Sequence, residues 1–289
     1  MKKEDIYTMV TGRIISKLNT GVVPWNCGYT SMAPQNFLTK KPYRGINHWI
    51  TISNNFSSPY YLSFKQVKDL GGAVIAGSKG TPVVYWQILE KKERNADGVM
   101  EKKTIPLLKY YTVFNAEQTT GIDFPVVENK ISNIALLDEV LGKMNQKPVI
   151  RESQIYSPCY IPALDEIRMP LKNSYESSAR YYKTLLHEIG HWTGASTRLK
   201  REGIMNFDGF GSHKYSVEEL VAELTASYAM TFAGMEEQTI DNSAAYIQSW
   251  IKALQNDTKF IFKAAKQAEL AWKFINNDIG CKDEIKEAA

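Results

Sequence analysis

Leu185-Leu186-His187-Glu188-Ile189-Gly190-His191-Trp192 is a His-Glu-x-x-His pattern inside an apolar run. On a helix, residues four apart lie roughly 40° from each other around the axis, so His187 and His191 offer imidazoles to one point on one face. Neutral imidazole is an ordinary Zn²⁺ ligand at about 2.0–2.1 Å. Glu188, beside the first histidine, can reach a water in the metal's open position and is placed to act as general base. The bland alternative is a core helix that happens to carry two histidines. Unpartnered imidazoles and a carboxylate on an apolar face would carry a desolvation cost that a bound cation removes. The stretch therefore predicts a metal helix, with His187 and His191 as ligands and Glu188 as the catalytic acid-base group.

A third protein ligand must come from elsewhere. One subclass continues His-x-x-Gly-x-x-His; Gly194 is present, but Thr197 stands at the histidine position. The remaining candidates are His213 and the acidic segment Ser216-Val217-Glu218-Glu219-Leu220-Val221-Ala222-Glu223-Leu224. This segment reads as a helix with Ser216 as N-cap and with Glu219 and Glu223 on one face. Glu219 is the preferred ligand, and Glu223 then accepts an N–H from a ligating histidine and sets its tautomer. Glu218 is expected to point outward, as an acid at a helix start favoured by the macrodipole.

The chain has 289 residues, 44% hydrophobic and 23% charged, an ordinary globular composition long enough for one large or two ordinary domains. Cys27, Cys159 and Cys281 are far apart and form no C-x-x-C, which argues against a disulfide framework or a cysteine zinc knuckle and fits a reducing compartment. The start carries no apolar signal region and no run approaches a membrane span, so a cytoplasmic location without membrane contact is expected. The net charge of +4 is unevenly spread. Residues 1–125 hold sixteen Lys+Arg against nine Asp+Glu, a balance of +7, while residues 126–289 hold nineteen against twenty-two, a balance of −3. A basic front half suits a polyanionic partner.

Ile6, Met9, Val10, Ile14 and Leu18 predict an opening amphipathic helix over 5–19. Residues 23–48 read as loops and turns, 64–70 as a short helix, Val83 to Leu89 and Leu107 to Phe114 as paired strands, and Glu90 to Lys103 as a charged hairpin tip. Cations lie among aromatics throughout this half, a combination that holds single-stranded nucleic acid by phosphate contacts and base stacking. About half of the strand rings must face a core, so Trp86 and some tyrosines are expected to pack. The loop Lys40 to Asn47 is the better binding candidate, carrying Lys40, Lys41, Tyr43, Arg44 and Asn47; Lys65, Lys79 and Lys109 are further candidates.

A junction is placed near residue 126, between Pro125 and a helix over Ile131 to Met144. Val149-Ile150, Gln154 to Ser157 and Glu166 to Met169 read as short strands, followed by a helix from about Ser174 or Glu176 that Gly194 ends. A strand just before the metal helix could pair with an extended peptide by edge addition. Later helices span Ala244 to Leu254 and Thr258 to Ile275. The class is α+β: a small-sheet domain over 1–125, then a mainly helical domain with a short sheet over 126–289.

Lys41-Pro42-Tyr43-Arg44-Gly45-Ile46-Asn47, Ser63-Phe64-Lys65-Gln66, Gly80-Thr81-Pro82-Val83-Val84 and Tyr111-Thr112-Val113-Phe114-Asn115 resemble the N-terminal domain of ArdC-type antirestriction proteins, also found at the start of TraC-type plasmid primases. Ile167-Arg168-Met169-Pro170, Thr184 to Gly194, Phe210-Gly211-Ser212 and Glu218 to Glu223 resemble that family's zincin-like metallopeptidase domain. The resemblance implies single-stranded DNA as partner. It also implies a Zn²⁺ peptidase, with Mn²⁺ as the alternative ion, acting on DNA-associated protein during plasmid transfer. A non-catalytic protein that coats incoming single-stranded DNA against restriction enzymes is the competing expectation.

Overall fold

Ile6, Val10, Ile14 and Leu18 recur every four residues, and this stripe seats the first helix in the large buried core. The computed structural model describes residues 3–21, 23–25, 32–94, 100–127, 134–206, 213–235 and 243–278; at 3–5, 91–94, 101–103, 213–214 and 243–246 the description covers the backbone alone. In α1 (Lys3–Asn19), the Tyr7 ring meets Phe262 at 4.7 Å and the Thr11 hydroxyl donates to the Thr258 carbonyl at 2.7 Å. Trp25 stands edge-on to Trp250 at 5.2 Å. One cluster of buried side chains therefore joins both halves of the sequence. Each fully buried aliphatic or aromatic side chain in it contributes about 1.5–3 kcal/mol.

The front sheet has four strands: β1 (Gln35–Asn36), β2 (Tyr60–Ser63), β4 (Thr81–Arg94) and β5 (Met100–Asn115), in the order β1-β2-β5-β4. Short helices α2 (Ile46–Ile52) and α3 (Phe64–Asp69) lie between them, and β3 (Ala73–Val74) pairs separately with β6 (Thr119–Thr120). The span 23–48, read from the sequence as loop, thus already contains β1 and the start of α2. Gly45 makes the turn into α2 possible: its φ of +52° is a left-handed conformation that side-chain-bearing residues avoid. A capping box closes α3, with Gln66 N–H on the Ser63 hydroxyl and the Gln66 amide on Ser63 N–H.

The β4–β5 ladder runs from Thr81↔Val113 to Arg94↔Met100, so the charged stretch expected to be a tip over 90–103 is largely strand; residues 95–99 lie outside the described residues. Ladder pairing is made by backbone groups, so charged side chains do not end it. Trp86 also departs from expectation. It faces Leu108 across the ladder but sits on the sheet's edge strand at the rim of the core, and is 50% exposed.

The back half starts with α4 (Ile134–Lys143) and a three-stranded sheet ordered β7-β9-β8, where β7 is Val149–Glu152, β8 is Cys159–Ile161 and β9 is Glu166–Met169. Gln154 to Ser157, expected as strand, is turn. The strand before the metal helix is β9, and it is central. The sheet edge next to that helix belongs instead to β8, which runs antiparallel to β9. Helices α5 (Ser178–Trp192), α6 (Glu202–Met205), α7 (His213–Phe232), α8 (Ser243–Asn256) and α9 (Phe260–Ile275) complete the described residues. Trp250, Phe260 and Trp272 are core rings as expected, with Phe262 packed at the core's margin.

Candidate metal centre

Ser177 caps α5 by accepting from Arg180 N–H, and the helix runs unbroken through His187 and His191 to Trp192. It packs on α7 at unusually close range. A Cβ on Gly190 would stand 2.9 Å from the Cα of Ala222, so the small residues at this crossing set how near the two helices approach. Ser216 lies within α7 rather than capping it, because α7 already includes His213. The side chain of His213 is outside the described residues.

The crossing brings His187, His191 and Glu219 together, with one donor atom from each within 4.8 Å of the others. The two Nε2 atoms are 3.1 Å apart. Each lies 3.5 Å from a different carboxylate oxygen of Glu219. Ligands about 2.0–2.1 Å from a tetrahedral ion are separated by roughly 3.3–3.4 Å, so this donor set fits such an ion as it stands.

Carboxylates also sit behind both imidazoles. Glu218 Oε1 is 3.2 Å from His191 Nδ1, and Glu223 Oε2 is 3.6 Å from His187 Nδ1, a charge contact rather than a hydrogen bond. Each imidazole thereby directs its Nε2 toward Glu219. Glu218 therefore does not point outward; only 3% exposed, it is held by Arg201 Nη2 at 2.6 Å and Nε at 2.9 Å. Arg201 also donates to the Gly190 carbonyl at 2.6 Å and the Thr193 hydroxyl at 2.8 Å, tying the segment after α5 to its last turn. Neither Arg201 nor the inward turn of Glu218 was marked in the sequence. The available signal was a third acid in a segment whose partner histidine is 27 residues away.

Burial opposes charge on His187, Glu218, Glu219 and Glu223, yet partners override it. Burial pulls His187 down, but Glu219, Glu223 and Glu188 together raise it well above the usual histidine range. Glu219 is pushed up by burial and drawn down further by His187, His191 and Tyr215, to about 2. Glu223 follows the same pattern, with Lys183 and His187 bringing it to about 2; Lys183 Nζ is 3.1 Å away. Acids this firmly ionised around two imidazoles favour positive charge at their meeting point, which suits a divalent cation. Glu188, next to His187 in the chain, is buried; the thiol of Cys159 in β8 is raised by burial first and by the charge of Glu188 second.

The remaining candidates lie in the front half. Lys41, Arg44, Lys65 and Lys79 are exposed, and Lys109 is half-buried. Lys40 adopts a left-handed φ of 56° and lays its ammonium 4.0 Å from the centre of the Phe37 ring. Tyr43 is buried against Tyr61, Val83 and Val113. Asn47 donates to the Val84 carbonyl at 2.7 Å and accepts from Val84 N–H at 2.8 Å, closing the edge of β4 as another strand would. Arg44 lies 3.9 Å from Glu269 of α9.

Residues 4–114 match the family model for the N-terminal domain of the anti-restriction factor ArdC, and residues 140–267 match that for a zincin-like metallopeptidase. The crystal structure of antirestriction protein ArdC from plasmid R388, in its metal-free form, superposes with a TM-score of 0.79 at 34% identity, over 95% of this chain and 97% of that one. The chain belongs to the ArdC antirestriction family. The Mn(II)-bound structure of R388 ArdC matches equally well in outline, with a TM-score of 0.76 at 33% identity over 96% and 99% of the two chains. This ArdC-family chain is also 33% identical to the DNA primase TraC of Escherichia coli over 94% of its own length, but spans only 27% of that longer protein. It is 29% identical to the y4eC protein of Sinorhizobium fredii over 99% and 96% of the two chains. The α+β class expected from the sequence agrees with this fold. No helix among the described residues is long and apolar enough to cross a membrane.

Proposed function

We propose that this chain is a cytoplasmic antirestriction protein acting in plasmid transfer. Residues 1–125 bind single-stranded DNA, and residues 126–289 hydrolyse peptide bonds in proteins on that DNA. The observation that carries the peptidase reading is the spacing of His187 Nε2, His191 Nε2 and the Glu219 carboxylate, 3.1 to 3.5 Å apart with Glu188 buried alongside. These three residues would hold Zn²⁺, or Mn²⁺ as in the R388 relative. The bound ion supplies Lewis-acid polarisation of a water and of the scissile carbonyl. Glu188 takes the proton from the attacking water and returns it to the leaving amine. Glu218 and Glu223 keep both imidazoles oriented, and the outer edge of β8 offers backbone groups to an extended peptide.

Glu188→Gln tests this reading. The variant retains metal and single-stranded DNA affinity while cleavage of DNA-associated proteins falls at least ~100-fold. Undiminished cleavage overturns it. The second reading, a coating protein without peptidase action, draws on the +7 charge of residues 1–125, which is independent of the metal cluster. Protection of single-stranded DNA from restriction by Glu188→Gln at full strength favours coating, and its loss favours hydrolysis.

A further inference from the structure

On one face of the β4–β5 ladder, Val83, Tyr85 and Gln87 alternate with positions that face the other way, and Tyr111, Lys109 and Leu107 stand directly opposite them. The inner end of this face is buried with Tyr43 and Tyr61. Its outer part is open: Tyr85 is 42% and Tyr111 41% exposed, with ring centres 5.8 Å apart at 57°. Lys109 stands directly across the ladder from Tyr85 and so adds a cation to the same face. The loop carrying exposed Lys41 and Arg44 joins the same face, because Tyr43 between them is its buried anchor against Tyr61, Val83 and Val113.

From this juxtaposition we infer that Tyr85 and Tyr111 are the base-stacking platform for single-stranded nucleic acid, with Lys109 and the Lys41 and Arg44 loop following its phosphates. The inference rests on the single-stranded DNA reading and locates it on the sheet. Two tilted rings receive successive unpaired bases, whereas a duplex keeps its bases stacked within itself. Cations at the margin of the rings match a polyanion better than an apolar protein partner.

The test measures binding of the full chain to an oligothymidylate and to an abasic strand of equal length, over a salt series. The wild type prefers the base-bearing strand. Tyr85→Ala and Tyr111→Ala each weaken that complex roughly 5- to 100-fold and leave abasic binding unchanged, while Tyr85→Phe and Tyr111→Phe keep the preference. Lys109→Gln lowers the salt slope by about 0.7. Wild-type preference unaltered by both alanine variants overturns the platform alone. Failure of the wild type to bind either strand overturns the DNA reading with it. Self-association of the wild type that the alanine variants abolish overturns the nucleic-acid occupant and assigns this face to a second copy.

Discussion

Arg201 grips both carboxylate oxygens of Glu218, at 2.6 and 2.9 Å, and both side chains are buried. Glu218 in turn faces His191 Nδ1 at 3.2 Å, so the guanidinium positions a candidate metal ligand through one intermediary. Breaking a buried pair leaves a desolvated charge alone, at a cost of about 3–5 kcal/mol. Arg201→Ala is expected to lower the thermal midpoint and weaken metal retention about 10- to 100-fold in chelator competition. Arg201→Lys keeps the charge without the fork and falls between. Metal affinity equal to wild type in a folded Arg201→Ala protein removes the positioning role.

Gly190 matters because the contact it would clash with is backbone. Gly190→Ala puts a methyl 2.9 Å from Ala222 Cα, and neither helix can yield by rotating a side chain. Such overpacking costs about 1–3 kcal/mol, which lowers the melting temperature by roughly 3–10 °C. Because α5 and α7 carry the donor set between them, metal affinity should drop with it. Calorimetry with and without Zn²⁺ reads both effects.

His48 predicts acid sensitivity away from the metal centre. It is packed against the rings of Trp49 and Tyr228, and its Nε2 has no hydrogen-bond partner among the described residues. Burial lowers its pKa to about 3 against about 6.5 for a free imidazole. The unfolded chain thus binds a proton that the folded chain refuses. The contribution is complete above pH 6.5 and is lost as pH falls toward 3, to a limit of about 4–5 kcal/mol. Urea midpoints measured from pH 7.5 to 4 should decline, and His48→Phe should flatten part of that decline. A variant with an unchanged acid limb would show that other groups govern it.

Asn47 separates fold from binding within the loop that the sequence marks for DNA. Its amide replaces a missing strand at Val84, so Asn47→Ala should cost about 1–3 kcal/mol in denaturant titration. Single-stranded DNA affinity of the folded variant should stay within about twofold of wild type, since the amide is committed to the backbone. A large affinity loss without destabilisation would return Asn47 to the binding surface.

The metal helix was legible because its geometry is local. Residues four apart on a helix always share one face, and the apolar residues around His187 and His191 state which helix it is. The pairing of Glu219 with Glu223 was legible for the same reason, as was the stripe from Ile6 to Leu18. The ladder of β4 and β5 was seen only in part. Charge between 90 and 103 resembles a loop in the sequence, whereas the ladder is held by backbone groups that side-chain charge does not reveal.

By itself the sequence determined the elements whose spacing repeats within one or two turns: the His-Glu-x-x-His helix, the acids that face it, and a basic, ring-rich first half. Tertiary structure alone decided that Glu218 turns inward to meet Arg201, that Tyr43 is buried while Tyr85, Trp86 and Tyr111 are not, and that α1 packs on α8. Those outcomes depend on where distant segments come to rest. Local periodicity does not encode the path of the chain from Thr193 to Arg201, or the point at which a strand pair leaves the core.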